Sequence, residues 1–243
     1  MCTPVMTWPK VSVKTWLCGV QDIVTRILYG GRVSLSVGLA SLIISVSLGN
    51  LIGAMAGFLG GVFDIALMRF TDMMISFPRI FVLILLLSLL GHEVRTIVVV
   101  SGILAWMPFA RLVRAEILAL KEKEYILAAR VVGAGRLRIV THYLLPNPSS
   151  SIIVAASLDM ADAVRTESGL SYVGLGLQPP TASWGTMLQN AQDQLIPAPW
   201  TAIFAGLMIF LAVMCINFIG DGLRDALDAD TAKDTRHQAF EVG

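Results

Sequence analysis

Charged residues are scarce in this chain. They make up 14% of its 243 residues, while 56% are hydrophobic; soluble globular domains carry roughly 25% charged residues. Together with a mean hydropathy of +0.74, so large a shortfall means that most of the surface faces something other than water. We therefore predict an all-α integral membrane protein, because a helix satisfies its own backbone hydrogen bonds inside lipid.

Several chemical signatures are also absent. The net charge is +1 and no basic tract with interleaved aromatic residues occurs, so nucleic-acid binding has no support. The three cysteines form neither a CxxC pair nor a cluster with the three histidines, which argues against a metal site. The sequence contains no phosphate-binding GxxxxGK[ST] loop and no GxSxG or HExxH motif. We predict no catalytic residues, no metal and no cofactor, with energy supplied by another polypeptide.

Long apolar runs are what the chain has instead. A spanning helix needs about 20 apolar residues, and five stretches approach that length. In the first, Gly49, Gly53 and Gly57 form a stripe that favours close packing within the chain over dimerisation. Pro108 should kink the third near its end, since proline cannot donate the helical hydrogen bond. The predicted spans lie near residues 33–58, 73–91, 96–113, 148–168 and 200–220.

The distribution of Lys and Arg predicts the orientation. Cytoplasmic loops are enriched in these residues; segment 111–147 carries seven of them, whereas 169–199 carries none. We therefore place 111–147 and the tail 226–243 in the cytoplasm, and 169–199 outside. Five spans would also place residues 1–32 outside, although that segment carries four Lys and Arg residues.

The turn between the first two predicted spans is charged. Asp64, Arg69 and Asp72 occur there within nine residues. Their spacing suits pairing on one helix surface. We expect a structural role for them rather than contact with a transported molecule.

The cytoplasmic segment between the third and fourth spans has a helical pattern. Tyr125, Ala128, Ala129 and Val132 fall at i, i+3, i+4 and i+7, which places them on one helix face. The small alanines permit close approach by another surface, and Gly133 favours a turn at the helix end. The pattern supports two interpretations about equally: a lever that a partner moves, or a solvated basic loop that only sets topology.

The fourth predicted span contains four charged residues. A charge at mid-bilayer costs about 2.5–3.5 kcal/mol on insertion scales, so such side chains usually face a bundle interior or water. Asp162 and Arg165 are i,i+3 neighbours that can pair. Two interpretations stay open: the charges line a pathway or its outer gate, or they pair near the outer helix end. The set is Asp159, Asp162, Arg165 and Glu167.

Ordered motifs make the sequence similar to a known family. Ala128-Ala129, Gly133, Tyr143 and Leu145-Pro146, at these spacings, resemble the EAA motif of the inner-membrane permease subunits of ATP-binding-cassette (ABC) importers. Residues 22–230 resemble the second permease of each pair in the dipeptide, oligopeptide and nickel branch. The further matching stretches are 26–35, 58–61, Asp72 with 76–78, 170–180, 183–185 and 220–228.

The resemblance implies a fold and a function. It predicts the transmembrane domain of a type I ABC importer over residues 33–225, with about five spanning helices, in the bacterial inner membrane. The chain would be a permease subunit that moves peptides, with nickel or another small solute as the alternative cargo. It would pair with a second permease, two ATP-binding subunits that bind the ATP, and a periplasmic substrate-binding protein.

The resemblance also implies roles for particular residues. A coupling helix would dock in a cleft of the ATPase subunit, and an outer loop would face the substrate-binding protein. The coupling residues are Glu124, Tyr125, Ala128, Ala129, Arg130, Gly133 and Pro146. The residues of the outer loop are Gln178, Pro179, Pro180, Trp184 and Gly185.

Three departures from the family pattern have consequences. Leu127 stands where the motif has Glu, so a charged contact with the ATPase is lost unless Glu124 or Arg130 supplies another. Residues 19–22 are a reduced form of a longer family stretch. The family's first transmembrane helix has no counterpart; it would return the N-terminus to the cytoplasm and explain the charges in 1–32, so we expect a truncated chain.

A different class of function is also open. A proton-coupled carrier or an intramembrane enzyme could use Asp159, Asp162 and Glu167. That hypothesis predicts activity without ATP and strong pH control by these carboxylates. The importer hypothesis predicts ATP-dependent uptake that Gly133→Trp abolishes.

Overall fold

The described part of the chain is helical. The computed structural model describes residues 13–122, 131, 150–178, 181–196 and 198–241, and no strand occurs in those ranges. The prediction of an all-α protein is confirmed. The helices are α1 Val13–Leu59, α2 Gly61–Ser76, α3 Arg79–Leu90, α4 Val94–Ile103, α5 Trp106–Lys121, α6 Ser150–Tyr172, α7 Trp184–Gln192 and α8 Trp200–Glu241.

Within those ranges, three helical stretches are long and apolar enough to cross a membrane. They are Ile23–Leu59, Val94–Lys121 and Trp200–Ala226, and a fourth crossing results if α2 and α3 count as one broken span. Helix α6 has the length but carries four charged residues, so it does not meet the same test of composition. The expectation of about five spans therefore depends on α6, which packs within the bundle.

The helix boundaries differ from the predicted ones in ways that local chemistry explains. Helix α1 already begins at Val13, so residue 33 is not a helix boundary. The stretch 73–91 is divided between α2 and α3, which meet at an angle of 81°. Pro78 stands at this bend and lacks the N–H that would continue α2.

The third predicted span is interrupted before Pro108 rather than kinked at it. Helix α4 ends at Ile103, and α5 begins at Trp106. Pro108 therefore occupies the first turn of α5, where a missing N–H costs little because first-turn N–H groups have no helical partner. The prediction that Pro108 disturbs this helix is confirmed, but the break lies earlier than expected, at Leu104 and Ala105, because a proline ring crowds the carbonyl group four residues before it.

Helix α1 runs parallel to α4 and α5 in close contact. A side-chain carbon added to Gly53 would lie 2.5 Å from the Ala110 carbonyl oxygen and 2.8 Å from Val113 Cβ. Gly49 and Gly57 meet α5 in the same way, one turn before and one turn after. The prediction that this glycine stripe packs within the chain is confirmed, because any larger residue would push the two helices apart.

Helix α6 runs antiparallel to α1 and to α8. Ser34 and Ser45 of α1 contact Glu167 and Asp159 of α6, in reversed order along the chain. Gly220 of α8 packs against α6 near its start. The bundle therefore has two ends, which we name by a residue at each: the Lys121 end, where α1 and α5 finish, and the Trp184 end, which contains α7.

The core lies between α1, α3 and α4 and extends to the Trp184 end of the bundle. Val37, Leu83, Leu87 and Ile97 are buried there together. By contrast, only 6% of the residues in the most apolar stretch of α8 are buried. An apolar face this open requires lipid or another membrane subunit around it.

Candidate functional site

Two ion pairs join α2 to α5 at the Lys121 end. Arg114 donates to both carboxylate oxygens of Asp64, with its Nη2 2.6 Å from Oδ2. Arg111 pairs with Asp72. A guanidinium that grips both oxygens of a carboxylate fixes orientation as well as distance. Both aspartates thus pair with a neighbouring helix, and the expectation that they would pair along their own helix surface was wrong.

Lys121 ties the end of α5 to the end of α1. Its ammonium donates to the carbonyl oxygens of Gly57, at 2.5 Å, and Phe58, at 2.9 Å. It also lies 5.4 Å from the centre of the Phe58 ring. The last carbonyl groups of a helix have no helical partner and carry partial negative charge, so a cation there is favourable. These contacts of Lys121 therefore hold the C-terminal end of α5 against the end of α1.

The predicted coupling residues follow directly after that point. Glu124, Tyr125, Ala128, Ala129, Arg130, Gly133 and Pro146 all lie outside the described residues. Their role stays a prediction. The structure supplies their two anchors, which are the end of α5 and the start of α6.

A buried carboxylate organises the Trp184 end. Glu167 is only 2% exposed. Its carboxylate accepts hydrogen bonds from the hydroxyl groups of Ser34 and Ser171, both at 3.0 Å, and of Ser168 at 3.4 Å. Buried charge is tolerated when several donors surround it. Glu167 therefore sits inside the chain, apart from the exposed Asp162 and Arg165.

The same serines connect Glu167 to α7 and to the loop before it. Ser34 Oγ accepts the backbone N–H of Trp184 at 3.2 Å, and Ser171 Oγ accepts that of Leu177 at 2.9 Å. The indole N–H of Trp184 donates to the Ile27 carbonyl at 3.0 Å. We call this set the Glu167 network. It links α1, α6, α7 and the loop before α7 through side chains that are almost fully buried.

Trp184 and Gly185 pack inside the Trp184 end of the bundle. Trp184 is 6% exposed, and the role of these two residues in a loop that faces the binding protein stays a prediction. Gly185 packs against Ser168 and Ser171 with no room for a side chain. Ser183 caps α7 by accepting the Thr186 N–H at 3.1 Å. Of the other predicted loop residues, Gln178 is exposed and Pro179 and Pro180 lie outside the described residues.

A polar cavity of about 700 Å³ opens beside this loop. Asn190, Asp193 and Gln194 of its lining are exposed. The full lining is Arg26, Thr181, Ala182, Thr186, Met187, Asn190, Asp193 and Gln194. These side chains, rather than Trp184, present the hydrogen-bonding surface of the Trp184 end.

The remaining charges of α6 are divided between interior and surface. Asp159 accepts a hydrogen bond from Ser45 at 2.7 Å. Asp162 pairs with Arg165 at 3.0 Å, as predicted from their spacing, and lies 3.7 Å from Arg79 of α3. Asp162 and Arg165 are each about half exposed. Since exposed charge in the middle of a span is costly against lipid, this face of α6 is suited to water or to another protein.

Sequence reasoning missed several of these partners. Ser171 follows Glu167 by four residues, so helical spacing could have indicated it, whereas Ser168 follows by only one residue and helical spacing does not predict its contact. Ser34 lies 133 residues from Glu167, and no local pattern connects the two. Arg79 lies 83 residues before Asp162 in the sequence, and no local pattern connects these two either.

The apolar helices and the fold define a class of protein: an all-α membrane domain. The transmembrane fold is shared with solved transporters. The structure matches one from inward-facing conformations of the MetNI methionine ABC transporter with a TM-score of 0.66 at 17% identity, covering 85% of this chain and 98% of that one. It matches a structure described as an amino acid ABC transporter with histidines with a TM-score of 0.63 at 16% identity, covering 91% and 100%.

The sequence identifies the family. Residues 49–233 match the binding-protein-dependent transport system inner membrane component family, and the chain belongs to that family. The resemblance to ABC importer permeases and the inner-membrane location are thereby confirmed. The family is one of transport permeases, which agrees with the expectation that the chain is not itself an enzyme.

Curated relatives cover most of the chain. It is 43% identical over 208 residues to the oligopeptide transport system permease protein OppC of Haemophilus influenzae, covering 86% of this chain and 67% of that one. It is 41% identical to the glutathione transport system permease protein GsiD of Pectobacterium atrosepticum, covering 86% and 69%. It is 39% identical to the dipeptide transport system permease protein DppC of Alkalihalophilus pseudofirmus, covering 86% and 68%.

Proposed function

We propose that this chain is one of two permease subunits of an importer that carries peptides across the inner membrane. The observation that carries the proposal is its identity of about 40% to permeases named for oligopeptide, dipeptide and glutathione transport. Two ATP-binding subunits, a second permease and a substrate-binding protein complete the complex. They provide the nucleotide site and the first capture of cargo, for which this sequence has no motif.

The contacts of the bundle support a mechanical role for the segment between α5 and α6. At one anchor, α5 is tied to α1 by Lys121 and to α2 by Arg114. Beyond the other anchor, α6 is tied to α1 by the Ser45–Asp159 and Ser34–Glu167 hydrogen bonds. A displacement of residues 123–149 by closing ATPases would therefore move α5 and α6 together with α1. Interlocked helices shift as rigid elements, because packed interfaces deform little.

The Glu167 network would carry the same movement to the outer side. It joins α1 and α6 to α7 and to the loop before it, which we assign to the surface that meets the binding protein. The exposed polar groups of the 700 Å³ cavity suit a transient, hydrated contact of this kind.

Reconstitution tests this function against the carrier hypothesis. The complete importer in proteoliposomes should take up labelled peptide only with ATP and loaded binding protein, and a proton ionophore should leave the rate unchanged. Uptake that continues without ATP and collapses with the ionophore would contradict the proposal and favour the carrier. If the importer takes up nickel with ATP and none of the peptides offered, the importer function would stand and nickel would replace peptide as the proposed cargo.

A further inference from the structure

A second cavity lies between two helix breaks. It has a volume of about 410 Å³, within the range of small-molecule sites. One wall is the bend between α2 and α3, and the other is the break between α4 and α5. Its lining is apolar except for one residue, Arg79. Representative lining residues are Ile75, Phe77, Val82, Leu104 and Met107. We call this cavity the Arg79 pocket.

The guanidinium of Arg79 has more donors than the described residues use. Its Nη2 donates to the Ser101 carbonyl at a long 3.4 Å. Its Nη1 lies 3.7 Å from Asp162, which is held more closely by Arg165 at 3.0 Å. Its Nε is buried and has no hydrogen-bond partner among the described residues. Arginine offers five N–H donors in a fork that matches a carboxylate.

The nearby acidic groups do not use all the N–H donors of Arg79. Asp162 is shared between two guanidinium groups, and Asp159 is engaged by Ser45 of α1. An unsatisfied buried donor is costly, so a ligand anion that completes the hydrogen bonds of Arg79 would bind favourably. The surrounding apolar wall would accept an uncharged, hydrophobic group attached to that anion.

The depth of the site argues against a lipid headgroup as the anion. Asp162, next to Arg79, lies about 18 Å along α6 from Ser150 and about 15 Å from Tyr172, at about 1.5 Å per residue. This position is near the middle of α6. A lipid headgroup would meet α6 nearer one of its ends, so an anion carried by the permease fits this position better.

We propose that the Arg79 pocket is a subsite for the terminal carboxylate of the transported peptide, with the apolar wall receiving its last side chain. This inference rests on the proposed peptide function and extends it by naming how the permease recognises its cargo. Arg79 forms a bidentate pair with the carboxylate while the peptide passes between the helix breaks.

The test compares two peptides that differ only at the C-terminus. One has a free carboxylate after a terminal leucine, and the other is the amide; the pair is chosen so that titration shows equal loading of the binding protein. ATP-driven uptake of both is measured in proteoliposomes containing the complete importer. The wild type should transport the carboxylate form about tenfold faster, and Arg79→Gln should lower that ratio to about one by slowing only the carboxylate form.

Two further variants separate recognition from structure. Arg95→Gln removes an exposed arginine outside the pocket and should leave the ratio of the two rates unchanged. Arg79→Lys keeps the positive charge but lacks the two-pronged guanidinium, so it should give an intermediate ratio of the two rates. If the Arg79→Gln importer fails to assemble, Arg79→Lys takes its place in the comparison. Copurification of all subunits reports assembly.

The outcomes distinguish the two proposals. Peptide uptake in which Arg79→Gln slows both forms equally, or leaves the ratio unchanged, would overturn the subsite alone. A wild type that transports both forms at the same rate would overturn it as well. If the wild type takes up neither peptide with ATP, the proposed function fails and the subsite fails with it.

Discussion

Arg114 and Asp64, which lie 50 residues apart in the sequence, form a two-pronged ion pair between the middle of α5 and the start of α2. Asp64 is 8% exposed, whereas the side chain of Arg114 is 33% exposed, so the carboxylate is the more deeply buried partner of the pair. Arg114 lies seven residues, or about two helical turns, before Lys121, which contacts the end of α1. Together they form the base from which the proposed coupling segment extends.

Loss of the arginine should therefore destabilise the bundle. Arg114→Gln leaves a nearly buried carboxylate without its partner, and we expect a loss of about 2–3 kcal/mol in the free energy of unfolding. Denaturant titration in detergent micelles measures it. Arg111→Gln is the matched control: its pair with Asp72 is about half exposed on both sides and should cost under about 1 kcal/mol. Equal losses for the two variants would contradict the assignment.

The glycine stripe of α1 predicts a steric effect. Gly53→Leu would drive a side chain into the backbone of α5 at Ala110 and cost about 3 kcal/mol, because the two helices cannot separate without losing their contacts. Gly206→Ala in α8 is the control, since nothing lies within 4 Å of the added carbon. Expression and unfolding of both variants in detergent provide the comparison. A stable, normally expressed Gly53→Leu protein would show that α1 and α5 are not packed this way.

The sequence contains enough information to predict some of this arrangement but not all of it. The spacing of glycines four residues apart predicts close helix packing, and the spacing of Asp162 and Arg165 predicts an ion pair one turn apart. Both can be predicted because each pattern lies within a single helix. Ser34 and Glu167 are brought together by the antiparallel path of α1 and α6, which no short-range spacing encodes. Pro108 indicates that the third span is interrupted, and the break falls at Leu104 and Ala105 because a proline ring crowds the carbonyl group four residues earlier.

The Glu167 network predicts that several conservative changes act on one end of the bundle. Glu167→Gln replaces one of the carboxyl oxygens to which three serines donate with an amide nitrogen, and it should cost about 1–3 kcal/mol of unfolding free energy. Ser34→Ala should cost about 1 kcal/mol, since it removes one donor and one acceptor. Asp162→Asn, on the exposed face of the same helix, is the control and should change stability little. If denaturant titration shows that Asp162→Asn lowers the unfolding free energy more than Glu167→Gln does, that result would contradict the network.

The outer polar cavity predicts a kinetic effect on the binding protein. Asp193→Lys reverses an exposed charge in that lining and should slow productive docking several-fold, because rim charges act mainly on association rates. The ATPase rate of the reconstituted importer, titrated with loaded binding protein, reports it as a shift in half-saturation. The basal ATPase rate without binding protein should stay the same. A fall in the basal rate with unchanged half-saturation would place Asp193 outside the docking surface.

The central claim is that the segment following Lys121 transmits the movement of the ATPase subunits to α5 and α6. Its most direct test is a cysteine at Ala129 paired with a cysteine placed in the ATPase cleft of the complete importer. The account predicts that oxidation joins the two subunits and stops ATP-driven peptide uptake, and that reduction restores it. A failure to cross-link at any position of the cleft, in an importer that still transports peptide, would contradict the claim.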